Sequence, residues 1–199
     1  MNFIYRIRQD IETYTPGSIA LSEEKETIYS PDKRFYFDAT PIQMNVPNAN
    51  WTTLLIEIFD ELSKERIGRF IRNDDRYFYH WLESSNSYYL FLSEDYMGES
   101  LFDLNNKILY SYTVDHNKEE GFIWFDFIPS PDKSKIAIIG CYWGSELGVI
   151  VYDLAKLPQL PLPRLNEFIS LDDAKIKWIN NTELGFYNRE LKTERTIRF

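Results

Sequence analysis

One turn occurs twice in this chain. Ser30-Pro31-Asp32-Lys33 leads into the run Arg34 to Ala39, and Ser130-Pro131-Asp132-Lys133 leads into Lys135 to Gly140. Proline presets φ and aspartate bonds back to nearby amides, so each copy reads as a tight reversal between antiparallel strands. Weaker turn signals at Ser84-Ser85-Asn86 and Asn180-Asn181 fill the intervals, and successive starts stand 54, 46 and 50 residues apart. The segment before each turn is aromatic or β-branched, as in Tyr79-His80-Trp81-Leu82, Trp124-Phe125-Asp126-Phe127 and Ile176-Lys177-Trp178-Ile179. After it come a second strand, a loop, and a third strand closing on an aspartate: Ile58-Phe59-Asp60, Leu101-Phe102-Asp103 and Val151-Tyr152-Asp153. Recurrence of these aspartates points to a shared turn-stabilising bond rather than to catalysis.

The apolar residues fall in short or alternating runs rather than at helical spacing, which gives an all-β reading. Further strands are expected at Thr53 to Phe59, Tyr77 to Leu82, Ser87 to Leu92, Phe122 to Ile128 and Gly148 to Leu154. Leu62 to Arg69 has helix-compatible composition but follows a strand so directly that a hairpin is expected. Four-stranded units recurring every 40 to 50 residues are the sequence form of propeller blades. The expectation is therefore one β-propeller-like domain over 1–199, with repeats at about 24–73, 77–116, 122–167 and 174–199. The last repeat has room for three strands only. The segment 1–8, which alternates through Phe3 to Ile7, is expected to supply the missing strand and close the ring, because closure removes sheet edges. An open arc of stacked sheets, such as half of a dimeric propeller, is the alternative. Leu157-Pro158-Gln159-Leu160-Pro161-Leu162-Pro163 is excluded from a central strand by its prolines and is expected to link one blade to the next.

On the two Ser-Pro-Asp-Lys turns and the apolar strands behind them, the chain resembles WD40-like and TolB-like β-propeller repeat proteins over about 24–199. The strings Phe91 to Tyr96 and Gly140 to Trp143 are also similar to segments of bacterial proteins of uncharacterised function. The resemblance implies a propeller fold and no particular activity. Neither a Gly-His nor a Trp-Asp pair occurs, so the WD40 hydrogen-bonding tetrad is not carried over.

Charge narrows the class of partner. Twenty-two basic against 31 acidic side chains give a net −9, which argues against nucleic acid and for a protein with a basic surface. Eight acids and two lysines between Glu94 and Asp126 hold −6 of that −9. Such a region would speed the approach of a basic protein, although solvated loops account for the same acids. A lone cysteine, Cys141, permits no internal disulfide, and no Cys/His spacing suggests a structural zinc. The N-terminal residues lack a secretory pattern and no apolar run reaches spanning length, so a cytoplasmic protein with no membrane contact is expected.

Two segments carry the candidate binding residues. In Ser93 to Ser100, a loop with Glu94, Asp95, Tyr96 and Glu99 offers three carboxylates, at a spacing that does not match a calcium loop. In Gly140 to Gly148, Cys141, Tyr142, Trp143 and Glu146 lie among three glycines, and Tyr and Trp are frequent interface anchors. Trp124 and Asp126 complete the set. His80 and His116 stand in no recognisable catalytic spacing with Cys141, and no catalytic residue, metal or cofactor is expected. The leading expectation is a non-enzymatic interaction module with an acidic, aromatic face, of the inhibitor or immunity type. The alternative is a carbohydrate-binding or carbohydrate-hydrolysing protein using Asp95 and Asp126 beside Trp124 and Trp143.

Overall fold

A computed structural model describes residues 19–20, 25–46, 49–72, 78–84, 87–94, 97–114, 121–169, 176–188 and 193–198. The expected closing strand, 1–8, lies outside them, as do Asp95, Tyr96 and His116. Every regular element among the described residues is a β-strand, and the strands form four antiparallel sheets. Sheet 1 holds β1 (Ile19–Ala20), β2 (Glu26–Tyr29), β3 (Phe35–Val46), β4 (Ala49–Asp60) and β5 (Arg66–Ile71), with β1 and β2 both pairing to β3. Sheet 2 runs β6 (Tyr79–Ser84), β7 (Ser87–Glu94), β8 (Gly98–Asp103) and β9 (Ile108–Tyr112) in sequence order. Sheet 3 does the same with β10 (Phe122–Pro129), β11 (Lys135–Tyr142), β12 (Leu147–Asp153) and β13 (Arg164–Ile169). Sheet 4 has three strands, β14 (Lys177–Asn180), β15 (Glu183–Asn188) and β16 (Thr193–Arg198). Sheets 2 and 4 fall within single expected repeats, sheet 1 adds β1 ahead of the repeat at 24–73, β13 of sheet 3 runs to Ile169, past the expected 167, and Leu62 to Arg69 forms the β4–β5 hairpin. No helix among the described residues is long and apolar enough to cross a membrane.

The repeated turn motif folds the same way both times. Ser30 Oγ donates to Asp32 Oδ1 at 2.7 Å and accepts the Phe35 amide at 3.0 Å. Ser130 Oγ repeats both bonds, to Asp132 at 2.7 Å and from Lys135 at 3.0 Å. Lys33 and Lys133 both stand at φ 58°, in the left-handed region where a side chain costs about 1–2 kcal/mol. The likeness extends across sheets 1 and 3. Phe35 lies opposite Asp60 and Lys135 opposite Asp153, and the adjoining ladders, β4–β5 and β12–β13, shift register at Ile58/Phe59 and at Val151/Tyr152. Beyond the shift Phe59 faces Arg66, and Tyr152 faces Arg164. Strands β3 to β5 of sheet 1 thus repeat the register of β11 to β13 of sheet 3.

The aspartates at the ends of the third strands divide. Asp60 accepts the Leu62 and Ser63 amides at 2.9 Å, and Asp153 accepts that of Ala155 at 2.8 Å. Asp103 is buried and accepts the Ser87 hydroxyl at 2.8 Å, so its bond ties β7 to β8.

The chain forms two compact units, Met1–Tyr77 with Leu104–Leu109, and Phe78–Asp103 with Tyr110–Phe199. In the first, Ile28, Phe35, Phe37, Ala39, Ile56 and Ile58 bury one face of sheet 1. In the second, sheet 3 is buried on both faces, and alternation along its strands assigns each residue to a neighbour. Ile136, Ile138, Ile150 and Tyr152 pack with Leu82, Tyr89, Phe91 and Leu101 of sheet 2. Ala137, Ile139, Val149 and Val151 pack with Trp178, Leu184 and Phe186 of sheet 4. This is why β11 and β12 read as continuous apolar runs: a strand covered on both sides has no polar face to show. Polar bonds at the sheet ends align the stack, with Trp178 Nε1 donating to the Ile128 carbonyl at 2.9 Å and the Asp132 amide to Asn181 Oδ1 at 3.2 Å. Gly140 is required by the β10–β11 pairing, since a Cβ there would sit 1.9 Å from the Ile123 carbonyl oxygen.

The proline-rich segment departs from its expected role. It joins β12 to β13 within sheet 3, instead of linking one sheet to the next, and Pro158 and Pro161 follow cis peptide bonds. Its last part folds inward, so that Leu162 is buried in the core between sheets 2 and 3.

Candidate functional site

The inward fold of that loop builds the wall of a cleft. A space of about 250 Å³ lies between sheets 2 and 3 in the second unit. Tyr112, Phe122, Trp124 and Tyr152 supply aromatic lining, Met97 and Leu162 line it too, and Glu99 and Arg164 are its charged members. Trp124 is held edge-on to Phe127 at 5.3 Å and tilted against Phe91 and Tyr152 at 5.8 and 6.2 Å, so its indole is locked by packing.

Glu99 is the unusual residue. It belongs to β8 rather than to the loop expected from the sequence, and only 3% of it is exposed. Its Oε2 accepts the Leu162 amide at 2.8 Å, which fixes the loop to sheet 2. A carboxylate this buried is costly unless hydrogen-bonded, and its position in an aromatic cleft makes it a strong local source of negative potential. Arg164 stands at the edge, donating from Nη1 to the Tyr142 hydroxyl at 3.3 Å and lying 3.8 Å from Glu167. Burial raises the Tyr142 hydroxyl above its ordinary pKa, and the bond with Glu167 adds to this. Burial raises Tyr152 much further; Arg164 opposes the shift and the charge of Glu99 reinforces it. Both phenols stay protonated and serve as neutral hydrogen-bonding groups at physiological pH.

The structure brings together Glu99 and Trp124 and, through Arg164, Tyr142. Asp95 and Tyr96 lie outside the described residues, and Asp126, Cys141, Trp143 and Glu146 do not line the cleft. Asp126 is exposed at the bulge of β10, where its Oδ1 accepts the Phe127 amide at 2.8 Å. Trp143 is 80% exposed in the β11–β12 turn, beside Gly144 at φ +76° and the exposed Glu146. Cys141 is a half-buried free thiol. By strand alternation it belongs to the opposite face of β11 from Tyr142. Glu94 ends β7, and its side chain lies outside the described residues. His80 is pushed below its usual pKa by burial first and by Lys133 second, so it is neutral at pH 7. Among the described residues no three His, Cys, Asp or Glu side chains are placed to share a metal ion.

Arg164, Tyr152, Tyr112 and Glu167 are site residues that sequence reasoning missed. The one available signal was the parallel with sheet 1, since Arg164 and Tyr152 recur as Arg66 and Phe59. Fold and site together define a chain whose described residues form antiparallel β-sheets, with an aromatic cleft between sheets 2 and 3. Compared with known proteins, the chain matches no family model and no curated protein.

Proposed function

We propose that this protein is a non-enzymatic binding module that takes a cationic side chain of a basic protein partner into the cleft between sheets 2 and 3. The observation that carries the reading is the buried carboxylate of Glu99 in a cleft lined by four aromatic rings. Aromatic faces and a desolvated carboxylate both favour an alkylammonium or guanidinium group over a neutral or anionic one. The acid-rich stretch from Glu94 to Asp126 would raise the encounter rate with such a partner. Binding is favoured over catalysis because the polar groups of the cleft hold structure: Glu99 anchors the Leu162 amide, while Arg164, Tyr142 and Glu167 engage one another. On the same reading the four sheets are blades of a small propeller-like array of the WD40-like or TolB-like kind.

The test is binding of fluorescently labelled poly-lysine at low and high salt, beside labelled poly-glutamate. Poly-lysine should bind in a salt-dependent way, and Glu99→Gln should weaken it about tenfold, equivalent to about 1.4 kcal/mol. Equal binding by wild type and Glu99→Gln would remove the cleft from the account.

A further inference from the structure

The cleft between sheets 2 and 3 holds two charges of opposite sign. Glu99 is sunk in its wall at 3% exposure, and Arg164 stands at its edge with 44% of its side chain exposed. Tyr152 faces Arg164 across the β12–β13 ladder, and its phenol feels both: burial raises it most, after which Arg164 lowers and Glu99 raises the same hydroxyl. A ligand that carries only a positive charge is drawn by Glu99 and repelled by Arg164. A ligand with a cation at one end and an anion at the other satisfies the two together. Arg164 is suited to the second task. Its planar fork of donors matches a carboxylate, which accepts two of them at once. Its contacts within the chain are weak ones, a 3.3 Å bond to the neutral Tyr142 hydroxyl and a half-exposed pairing with Glu167 at 3.8 Å, beyond hydrogen-bond reach. The cleft volume of about 250 Å³ is below the roughly 300–1,000 Å³ of small-molecule pockets, which suits the end of a chain better than an extended peptide.

Resting on the reading of this cleft as a receptor for a cationic side chain, we infer that the residue it takes is the last one of the partner: a C-terminal lysine or arginine, its side-chain cation against Glu99 and the aromatic rings, its terminal carboxylate held by the Arg164 guanidinium. Arg164 is then the residue that sets specificity. It disfavours a basic side chain in the middle of a chain, which brings a second positive charge towards it and nothing to neutralise it, and favours one that ends a chain. Capture of a terminal carboxylate by fixed donors is a recurrent way of recognising chain ends.

Two probes that differ in one group read this directly: Nα-acetyl-lysine, with its carboxylate, and Nα-acetyl-lysine amide, without it, each titrated into the full chain and followed by NMR on the Trp124 indole. The acid should bind about tenfold more tightly, the worth of one charge-assisted bond to a carboxylate. Bulk attraction works the other way, since a chain of net charge −9 draws the more positive amide, so a preference for the acid reports a local cation. Arg164→Gln should bring the two probes to equal affinity, by weakening the acid and leaving the amide bound as well as before or better. Should Arg164→Gln fail to fold, Arg164→Lys keeps the charge, loses the fork and should reduce the preference. Equal binding of acid and amide by wild type, or a preference for the acid that survives loss of the guanidinium, overturns the inference and leaves the cleft as a receptor for basic side chains in general. Binding of neither probe overturns both.

Discussion

Replacing Glu99 with alanine removes the acceptor that holds the Leu162 amide at the wall of the cleft. Both partners are buried, at 3% and 2% exposure, so water does not readily replace the lost bond. An orphaned buried amide costs about 1–3 kcal/mol. Losing the buried methylene adds about 0.8 kcal/mol of transfer energy. Relief of the desolvated carboxylate offsets part of this, which leaves about 2 kcal/mol, or a fall in melting temperature of roughly 4–8 °C for a chain of this size. Glu99→Gln keeps an oxygen for Leu162 and removes only the charge, so it should lose about 1 kcal/mol or less. Urea denaturation of the three proteins gives the energies, and hydrogen exchange at the Leu162 amide gives the mechanism: exchange should speed up in the alanine variant and change little in the glutamine one. A Glu99→Ala protein within about 0.5 kcal/mol of wild type, with the Leu162 amide still protected, would refute the tether.

Two further outcomes follow from the strands and turns. Gly140→Ala places a methyl group against the Ile123 carbonyl and should destabilise by more than about 3 kcal/mol through disruption of the β10–β11 pairing; a melting curve equal to wild type would contradict that geometry. The Ser134 amide first, and then the hydroxyl of Ser130, hold the Asp132 carboxyl down at about 2, below its ordinary 3.8. A depressed carboxyl stabilises the fold fully above its unfolded value and loses that contribution as pH falls through the folded one. The difference in urea midpoint between wild type and Asp132→Asn should therefore be constant above pH 3.8 and vanish towards pH 2; a difference that grows on acidification would contradict it.

Sheet number and strand placement were legible because turn chemistry and short apolar runs are local properties. The two Ser-Pro-Asp-Lys turns needed only residues within five positions of one another, and both formed the same bonds. The three-strand last sheet followed from counting residues. The site was far less legible. Glu99 looks like a loop acid beside Glu94 and Asp95, and only the packing of sheet 2 on sheet 3 makes its position a buried one. Tyr142 was visible as an anchor, but its partner Arg164 lies 22 residues on, past a proline-rich loop whose inward path depends on the tether to β8. Trp143 and Trp124 look alike in sequence, yet one is exposed in a turn and the other locked in the core. Such differences are set by which sheet faces which, a long-range property that strand periodicity does not encode.

The central claim is that the cleft between sheets 2 and 3 receives a cationic side chain against Glu99. The direct measurement is NMR of the Met97 methyl and the Trp124 indole during titration with lysine capped at both backbone ends, with capped norleucine as the uncharged control. Both signals should shift and saturate with the lysine probe, and Glu99→Gln should abolish the response while preserving the spectrum. Equal shifts with norleucine, or a response to lysine that survives Glu99→Gln, would contradict the claim.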